Sequence, residues 1–230
     1  MTSRFLISAL FAGASAGLII GLLQLAFVQP VLLHAELYEN GTLVHFGSGA
    51  TSAHPALPGF DLMRNGLSII FTMLTYTGYA LVMVAAMSIA EDRGAQINGR
   101  WGILWGIAGF VAFHLAPGFS LPPEVPGVAA ADVTTRQIWW FATAAAACVA
   151  LWLLAFGSNW AAWGLAAVLL AAPHLTGAPQ PAQFAGPVPT EIGALFAARA
   201  FGIGMVAWVL LGSFAGYFWQ REGEHAAQTV

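Results

Sequence analysis

Long apolar segments alternate with short polar or Pro/Gly-rich connections along the whole chain. Six of these segments are long enough for a membrane-spanning helix, because about 20 apolar residues cross ~30 Å of hydrocarbon. They cover residues 5–33, 62–90, 100–117, 136–156, 159–174 and 192–219. We therefore predict an all-α, polytopic membrane protein, with six transmembrane helices in a single domain that covers residues 1–230.

One connection leaves the topology open. Only Gly157 and Ser158 separate the fourth segment from the fifth. These two residues fit a tight turn between two helices. A single broken segment is the alternative, and it would invert the last helices.

The arginines indicate the orientation in the membrane. With six spans, four arginines flank one face and two flank the other. The first group is Arg4, Arg93, Arg100 and Arg221, and the second is Arg64 and Arg136. Basic residues favour the cytoplasmic side. We predict a bacterial inner-membrane protein with both termini in the cytoplasm and three helical hairpins that open outward.

Composition excludes several functions. Apolar residues make up 59% of the chain and charged residues 7%, and the mean hydropathy is +0.76. All seven basic residues are arginine. Without lysine the chain cannot form a Walker A nucleotide site. A net charge of −3 and no basic run argue against nucleic acid as a partner, whereas membrane lipid is expected.

Glycines recur every four residues in three of the predicted helices. Such small faces let helices approach closely. The residues are Gly13, Gly17 and Gly21 in the first helix, Gly102 and Gly106 in the third, and Gly212 and Gly216 in the sixth. We expect them to pack helices within one bundle, with subunit dimerisation as the alternative.

A histidine, a carboxylate and an arginine recur in the same order at the three predicted outer connections. The sets are His34, Glu36 and Arg64; His114, Glu124 and Arg136; and His174, Glu191 and Arg199. Ionisable groups near hydrocarbon are costly and mark functional sites. The pattern fits either a weak internal repeat or topological constraints that the three hairpins share.

These residues suggest a binding site for a transition metal. Three imidazoles could converge as ligands while the three carboxylates neutralise the cation. A histidine at a helix end can instead cap terminal carbonyls. The arginines would repel a metal, so we assign Arg64, Arg136 and Arg199 to structural ion pairs. Asp132 lies four residues before Arg136, and Glu191 lies eight before Arg199.

The first outer connection also predicts a small β-hairpin. Asn40 and Gly41 stand between two partly alternating stretches, a strong signal for a two-residue turn. The turn would place Glu36 opposite His45. That pair could form part of a metal site, or it could be an ordinary polar pair between strands.

Two stretches carry a resemblance to a known family. The segment HLAPGFSLPPEVPG, residues 114–127, strongly resembles the signature of the CbtA family of predicted cobalt transporter subunits. The stretch PHLTGAPQPAQFAGPVPTEIGALFAA, which starts at Pro173, is similar to the family's second characteristic region. Gln180 departs from the pattern, since we expect the family to have histidine there.

The resemblance implies a non-enzymatic membrane subunit that takes up cobalt(II), for cobalamin biosynthesis. It also implies a small partner of the CbtB type, with one helix and a histidine-rich end. The residues themselves do not select cobalt, because copper and nickel bind such ligands more tightly.

Three other functions fit the residues less well than transport. A scaffold subunit of a larger membrane complex would leave the histidines incidental. A bis-histidine haem needs two histidines facing each other inside neighbouring helices, whereas these stand at helix edges, so haem is not expected. No sequence motif places a nucleophile beside a base, so catalysis is not expected either.

Overall fold

The computed structural model describes residues 2–45 and 52–228. This part of the chain is built of helices joined by turns and irregular loops. The α-helices are α1 (Thr2–Phe27), α2 (Gln29–Glu39), α3 (Leu62–Glu91), α4 (Gly99–Phe110), α5 (Ala116–Ser120), α6 (Val133–Phe156), α7 (Trp160–Thr176) and α8 (Thr190–Gln228). A π-helical turn, Val111–Leu115, connects α4 to α5. The all-helical prediction is confirmed for these residues.

Each predicted apolar segment contains a helix, but the first and third are interrupted at prolines. Pro30 cannot donate a backbone hydrogen bond, and the helix breaks at Val28 and resumes as α2. Pro117 likewise cannot donate to the carbonyl of Phe113. The helix widens into the π turn just before it.

Within residues 2–45 and 52–228, five helices are long and apolar enough to cross a membrane, counting α4, the π turn and α5 as one. The described residues contain one shorter apolar helix, α7, with 17 residues. At 1.5 Å per residue α7 is about 25 Å long, somewhat less than ~30 Å of hydrocarbon. The structure thus supports five to six spans, and the three outward-opening hairpins remain a prediction.

The predicted β-hairpin is wrong. Asn40 ends α2, and Gly41 follows it with a φ of +78°. No strand occurs in residues 36–45, where the hairpin was expected. Asn-Gly favours positive φ both in a two-residue hairpin turn and just after the last residue of a helix. Here the preceding residues are helical, so the dipeptide terminates a helix.

Four helices begin at an aspartate or asparagine that caps them. In each case the side-chain oxygen accepts a hydrogen bond from the backbone N–H three residues later, at 2.6–3.0 Å. The capping residues are Asp61, Asn98, Asp132 and Asn159. Such bonds satisfy N–H groups that the first helical turn leaves unpaired.

The chain divides into two compact units. The first comprises residues 1–26, 60–110 and 202–230, and therefore holds most of α1, α3, α4 and the later part of α8. The second comprises residues 27–59 and 111–201. The single domain proposed from hydropathy remains a prediction.

In the first unit, glycines bring α1 close to α3. A Cβ on Gly17 would lie 2.5 Å from the Cα of Met73, and a Cβ on Gly21 would lie 3.3 Å from the Cα of Ile69. A Cβ on Gly13 would collide with the backbone of Thr77. Only glycine allows two helix backbones to approach this closely.

The pair α4 and α8 is packed in the same way. A Cβ on Gly102 would collide with the carbonyl of Gly212, and one on Gly106 would collide with the carbonyl of Trp208. A Cβ on Gly216 would collide with the carbonyl of Asn98. The glycine faces noted in the sequence therefore line contacts within one chain.

One arginine joins three helices of the first unit. Its Nη1 and Nη2 each lie 3.2 Å from a carboxylate oxygen of Glu91, and its Nε donates to the carbonyl of Trp219 at 2.9 Å. The guanidinium carbon also lies 3.9 Å from the centre of the Trp219 ring. This residue, Arg4, thus makes a bidentate ion pair and a cation–π contact at once.

Candidate functional site

The three connections that carry the predicted ligands pack together in the second unit. We call the assembly of α2, residues 121–132, residues 177–189 and the first turns of α8 the loop layer. Its buried apolar residues are Val31, Ala35, Tyr38, Val125, Val188 and Ile192, with Leu43, Val128 and Phe196 packed against them. Side chains distant in the sequence therefore form one small core that holds the connections.

Backbone contacts fix two of these connections to each other. The N–H of Ala129 donates to the carbonyl of Ala185 at 2.8 Å. A Cβ on Gly186 would lie 2.7 Å from the carbonyl oxygen of Gly127, and Gly127 itself has a φ of +83°. A Cβ on Gly127 would in turn meet Glu39 of α2 at 3.1 Å.

His34 lies on α2, within the loop layer. Its Nε2 is buried and has no hydrogen-bond partner among the described residues. Its ring centre lies 5.6 Å from that of Tyr38. Burial lowers the pKa of His34 below its usual 6.5, and the nearby positive charge of His54 lowers it further. Both effects favour the neutral ring, which is the form that binds metals.

Glu36 and His45 do not face each other across a hairpin. Glu36 is exposed on α2, and His45 is exposed in the turn that follows this helix. The ring of His45 lies edge-on to Tyr38, with 6.5 Å between the ring centres. Tyr38 therefore lies beside both His34 and His45.

His114 belongs to the π turn and is half-buried. Turns of this kind are rare and often occur at functional sites. Pro117, one residue into the short helix α5, is fully buried. The segment that resembles the family signature therefore begins with a local distortion of the helix.

His174 lies in the last turn of α7 and is held by three residues. Its Nδ1 is 2.8 Å from the Oγ of Ser120, at the end of α5. Its ring lies edge-on to Phe119, with 5.2 Å between ring centres, and near Trp139, with 6.1 Å between centres. Sequence reasoning missed Ser120, because it lies 54 residues from its partner and no local pattern connects the two.

This pair places a hydroxyl beside an imidazole, which no sequence motif had indicated. Among the described residues, the ring of His174 donates no hydrogen bond to a carboxylate. A serine nucleophile normally requires a base that a third group orients. The arrangement therefore lacks the last member of a catalytic triad.

Glu124 pairs with Arg136, the arginine that we expected to pair with Asp132. The Oε2 of Glu124 lies 2.7 Å from Nη2 of Arg136, and both side chains are about a quarter exposed. The side chain of Asp132 instead caps α6 through the N–H of Thr135. Capping holds the Asp132 carboxylate against the helix end, so Arg136 reaches Glu124 in the preceding loop.

Glu191 and Arg199 are also not paired with each other. Glu191 is exposed in the first turn of α8 and accepts a hydrogen bond from Thr190 at 3.3 Å. Nη1 of Arg199 donates to the carbonyl of Phe27 at 2.7 Å. Phe27 is the last residue of α1. The N–H of Val31, four residues later, donates to the carbonyl of Val28 and not to that of Phe27. Arg199 thus caps a helix terminus.

Arg64 lies in the first turn of α3. Its backbone N–H donates to Asp61, and its Nε lies 3.3 Å from the side-chain oxygen of Asn65. Asn65 is itself buried. The contacts place Arg64 at the capped start of α3, close to the aspartate that caps it.

All the predicted donor residues belong to the second unit, but they do not form a ready metal centre. Within residues 2–45 and 52–228, no group of three or more His, Cys, Asp or Glu side chains could hold a metal ion. The three histidines that head the recurring pattern are therefore not brought together at one point.

Comparison with known proteins gives the family. No curated protein and no solved structure matches the chain. A family model described as a probable cobalt transporter subunit, CbtA, matches residues 2–220. The match includes α1, α3 and α4, most of α8 and the whole of the loop layer. This multi-pass membrane protein therefore belongs to the CbtA family.

Proposed function

We propose that the protein is the membrane subunit of a cobalt uptake system, in which the loop layer receives the ion and passes it inward. The observation that carries this proposal is the family match over residues 2–220. The packing into one layer of the three carboxylate-bearing segments that contain or follow His34, His114 and His174 supports it. In this proposal the layer faces outward, the termini lie in the cytoplasm and the membrane is the bacterial inner membrane.

The donors have separate roles. His34, His114 and His174 supply imidazole nitrogens, and His45 lies beside Tyr38 as an additional donor near His34. Glu36 and Glu191 are exposed and supply negative charge that attracts the cation. Glu124 is neutralised by Arg136 and becomes a ligand only when their ion pair opens. Imidazole and carboxylate together suit cobalt(II).

The membrane potential is sufficient to drive such uptake. A divalent cation entering a cell at about 100 mV, negative inside, gains roughly 4.6 kcal/mol. Polarity within the first unit is sparse, and includes a 3.0 Å hydrogen bond between Thr72 and Gln24. We propose that the path is completed by a second chain.

That second chain is a small membrane subunit of the CbtB type, with one helix and a histidine-bearing end. The family description as a subunit supports an assembly of more than one chain. Histidines from the partner would complete the coordination of an ion that the loop layer holds through few donors. The assembled system would supply cobalt for cobalamin biosynthesis.

A scaffold function is the alternative, and one observation favours it. The described residues form no group of three or more side chains suited to a metal ion. In a scaffold, the loop layer would be a docking surface for other subunits, and the histidines of the second unit would serve only in packing.

Metal binding by the purified protein separates the two functions. We would titrate the wild type with cobalt, nickel and zinc, and compare it with a variant in which His34, His114 and His174 are all alanine. His225→Ala, in the exposed C-terminal part of α8, is the control. We expect saturable cobalt binding by the wild type and the control, and none by the triple variant.

Absence of binding by the wild type, measured both alone and with the purified partner, would contradict the uptake function and favour the scaffold. Equal binding by the wild type and the triple variant would place the ion at other residues. Thermal unfolding of each variant shows whether the fold is retained.

A further inference from the structure

Ser120 forms a hydrogen bond with His174, one of the proposed metal ligands. They come from different elements, since Ser120 ends α5 and His174 lies in the last turn of α7. The Oγ to Nδ1 distance of 2.8 Å is that of a strong hydrogen bond. Metal-binding histidines commonly use one ring nitrogen for such a bond and the other for the metal.

Aromatic contacts restrict the His174 ring further. The ring plane is inclined by 78° to Phe119 and by 66° to Trp139. Edge-on packing against two rings, together with the bond at Nδ1, leaves the imidazole little freedom to rotate. Such restriction lowers the entropy lost when a ligand binds.

The position of Ser120 is itself fixed by packing. It belongs to α5, a helix of five residues that follows the π turn. Pro117 in this helix is fully buried, and a Cβ on Gly118 would collide with the ring of Phe201. The widened turn and the close approach at Gly118 hold the hydroxyl where α7 ends.

We propose that Ser120 is a positioning residue that holds His174 with Nε2 ready to bind the transported divalent cation. For Nε2 to offer its lone pair, the ring proton must be on Nδ1, which donates to the Oγ of Ser120. No described residue bonds to Nε2. The inference rests on the proposed function and adds a residue that contributes no ligand atom.

Two substitutions of Ser120 test this role. Ser120→Ala removes the hydrogen bond, whereas Ser120→Thr retains a hydroxyl and is the matched control. We expect cobalt affinity to fall about 10–100-fold in Ser120→Ala, the usual cost of losing such a partner. In Ser120→Thr it should stay within about threefold of the wild type. His174→Ala should lose affinity at least as strongly as Ser120→Ala.

A spectroscopic readout separates positioning from a purely structural role. In metal-free protein, the ¹⁵N shifts of His174 report which ring nitrogen carries the proton. We expect the Nδ1-protonated form in the wild type and in Ser120→Thr, and a mixture of both forms in Ser120→Ala. A merely structural serine would change stability without changing this ratio.

The outcomes distinguish this inference from the proposed function. Wild-type cobalt affinity in Ser120→Ala, or in His174→Ala, would overturn the positioning role while leaving transport intact. An Nε2-protonated ring in the wild type would overturn it as well. Failure of the wild type to bind cobalt, alone and with the purified partner, would overturn the proposed function and with it this inference.

Discussion

At the scale of single residues, the loop layer contains a histidine whose charge state is set by its surroundings. His34 has a buried Nε2 without a hydrogen-bond partner among the described residues, and burial lowers its pKa. His34 therefore binds a proton less readily in the folded protein than in the unfolded chain. A hydrogen-bond partner or a bound metal ion would offset the cost of this unpaired nitrogen.

The first prediction concerns pH. Below pH 6.5, His34 binds a proton more readily in the unfolded chain than in the folded protein. The free energy of unfolding therefore falls as the pH drops below that value. We expect His34→Gln to lose less stability than the wild type between about pH 7.5 and about pH 5.5. The measurement is the apparent unfolding temperature in detergent at each pH. His225→Gln is the control, and an equal loss in His34→Gln and the wild type would contradict the prediction.

Sequence reasoning located charged residues correctly but not their partners. Asp132 lies four residues before Arg136, a spacing that favours an ion pair along a helix. Asp132 is also the residue before α6, and that position favours capping of the helix. The cap is local and strong, so Arg136 pairs with Glu124. The contact between Ser120 and His174 depends on tertiary packing, which no local rule predicts.

At the scale of elements, the close packing of α1 against α3 is the clearest determinant of the first unit. Membrane helices gain little from burying apolar surface, since lipid is apolar too. Their association therefore depends on close contact. Gly17 permits such contact with Met73, whereas a Cβ added to Gly78 on α3 would meet no atom within 4 Å.

The second prediction follows from this difference. We expect Gly17→Ala to lower the free energy of unfolding by about 1–3 kcal/mol, because the added methyl forces two backbones apart. Gly78→Ala, the matched control within a helix, should be neutral or stabilising by up to about 1 kcal/mol. Both are measured by denaturant unfolding in detergent. Equal effects of the two substitutions would contradict the role assigned to Gly17.

Hydropathy predicted the elements well for a physical reason. A helix in lipid must be apolar over many residues, so the composition of each long segment reports its structure. The short helix α2 was missed because its residues continue the first apolar segment into a polar one. The hairpin was predicted in its place because Asn40 and Gly41 suit two kinds of turn.

At the scale of the whole molecule, Arg4 joins three of the long helices, α1, α3 and α8. Its guanidinium meets Glu91 of α3 and both the ring and the carbonyl of Trp219 of α8. Lysine could keep the charge but not the bidentate geometry or the stacking. Sequence reasoning missed this cluster, because its three residues are far apart in the chain and lie outside the recurring histidine pattern.

The third prediction tests this junction. We expect Arg4→Lys to lower the free energy of unfolding by about 1–2 kcal/mol. Arg100→Lys should change it little, because Arg100 is exposed at the start of α4. Denaturant unfolding in detergent measures both. A loss in Arg100→Lys that equals the loss in Arg4→Lys would contradict the specific role of the cluster.

The contacts at the two ends of α1 have a consequence for biosynthesis. Arg4, near its start, bonds to Trp219, and the carbonyl of Phe27, at its end, accepts from Arg199. Both partners belong to α8, which leaves the ribosome long after α1. The first helix therefore enters the bilayer before either partner has been synthesised, and its terminal groups must rely on water or lipid headgroups until α8 is made. Final assembly is thus a post-insertion event.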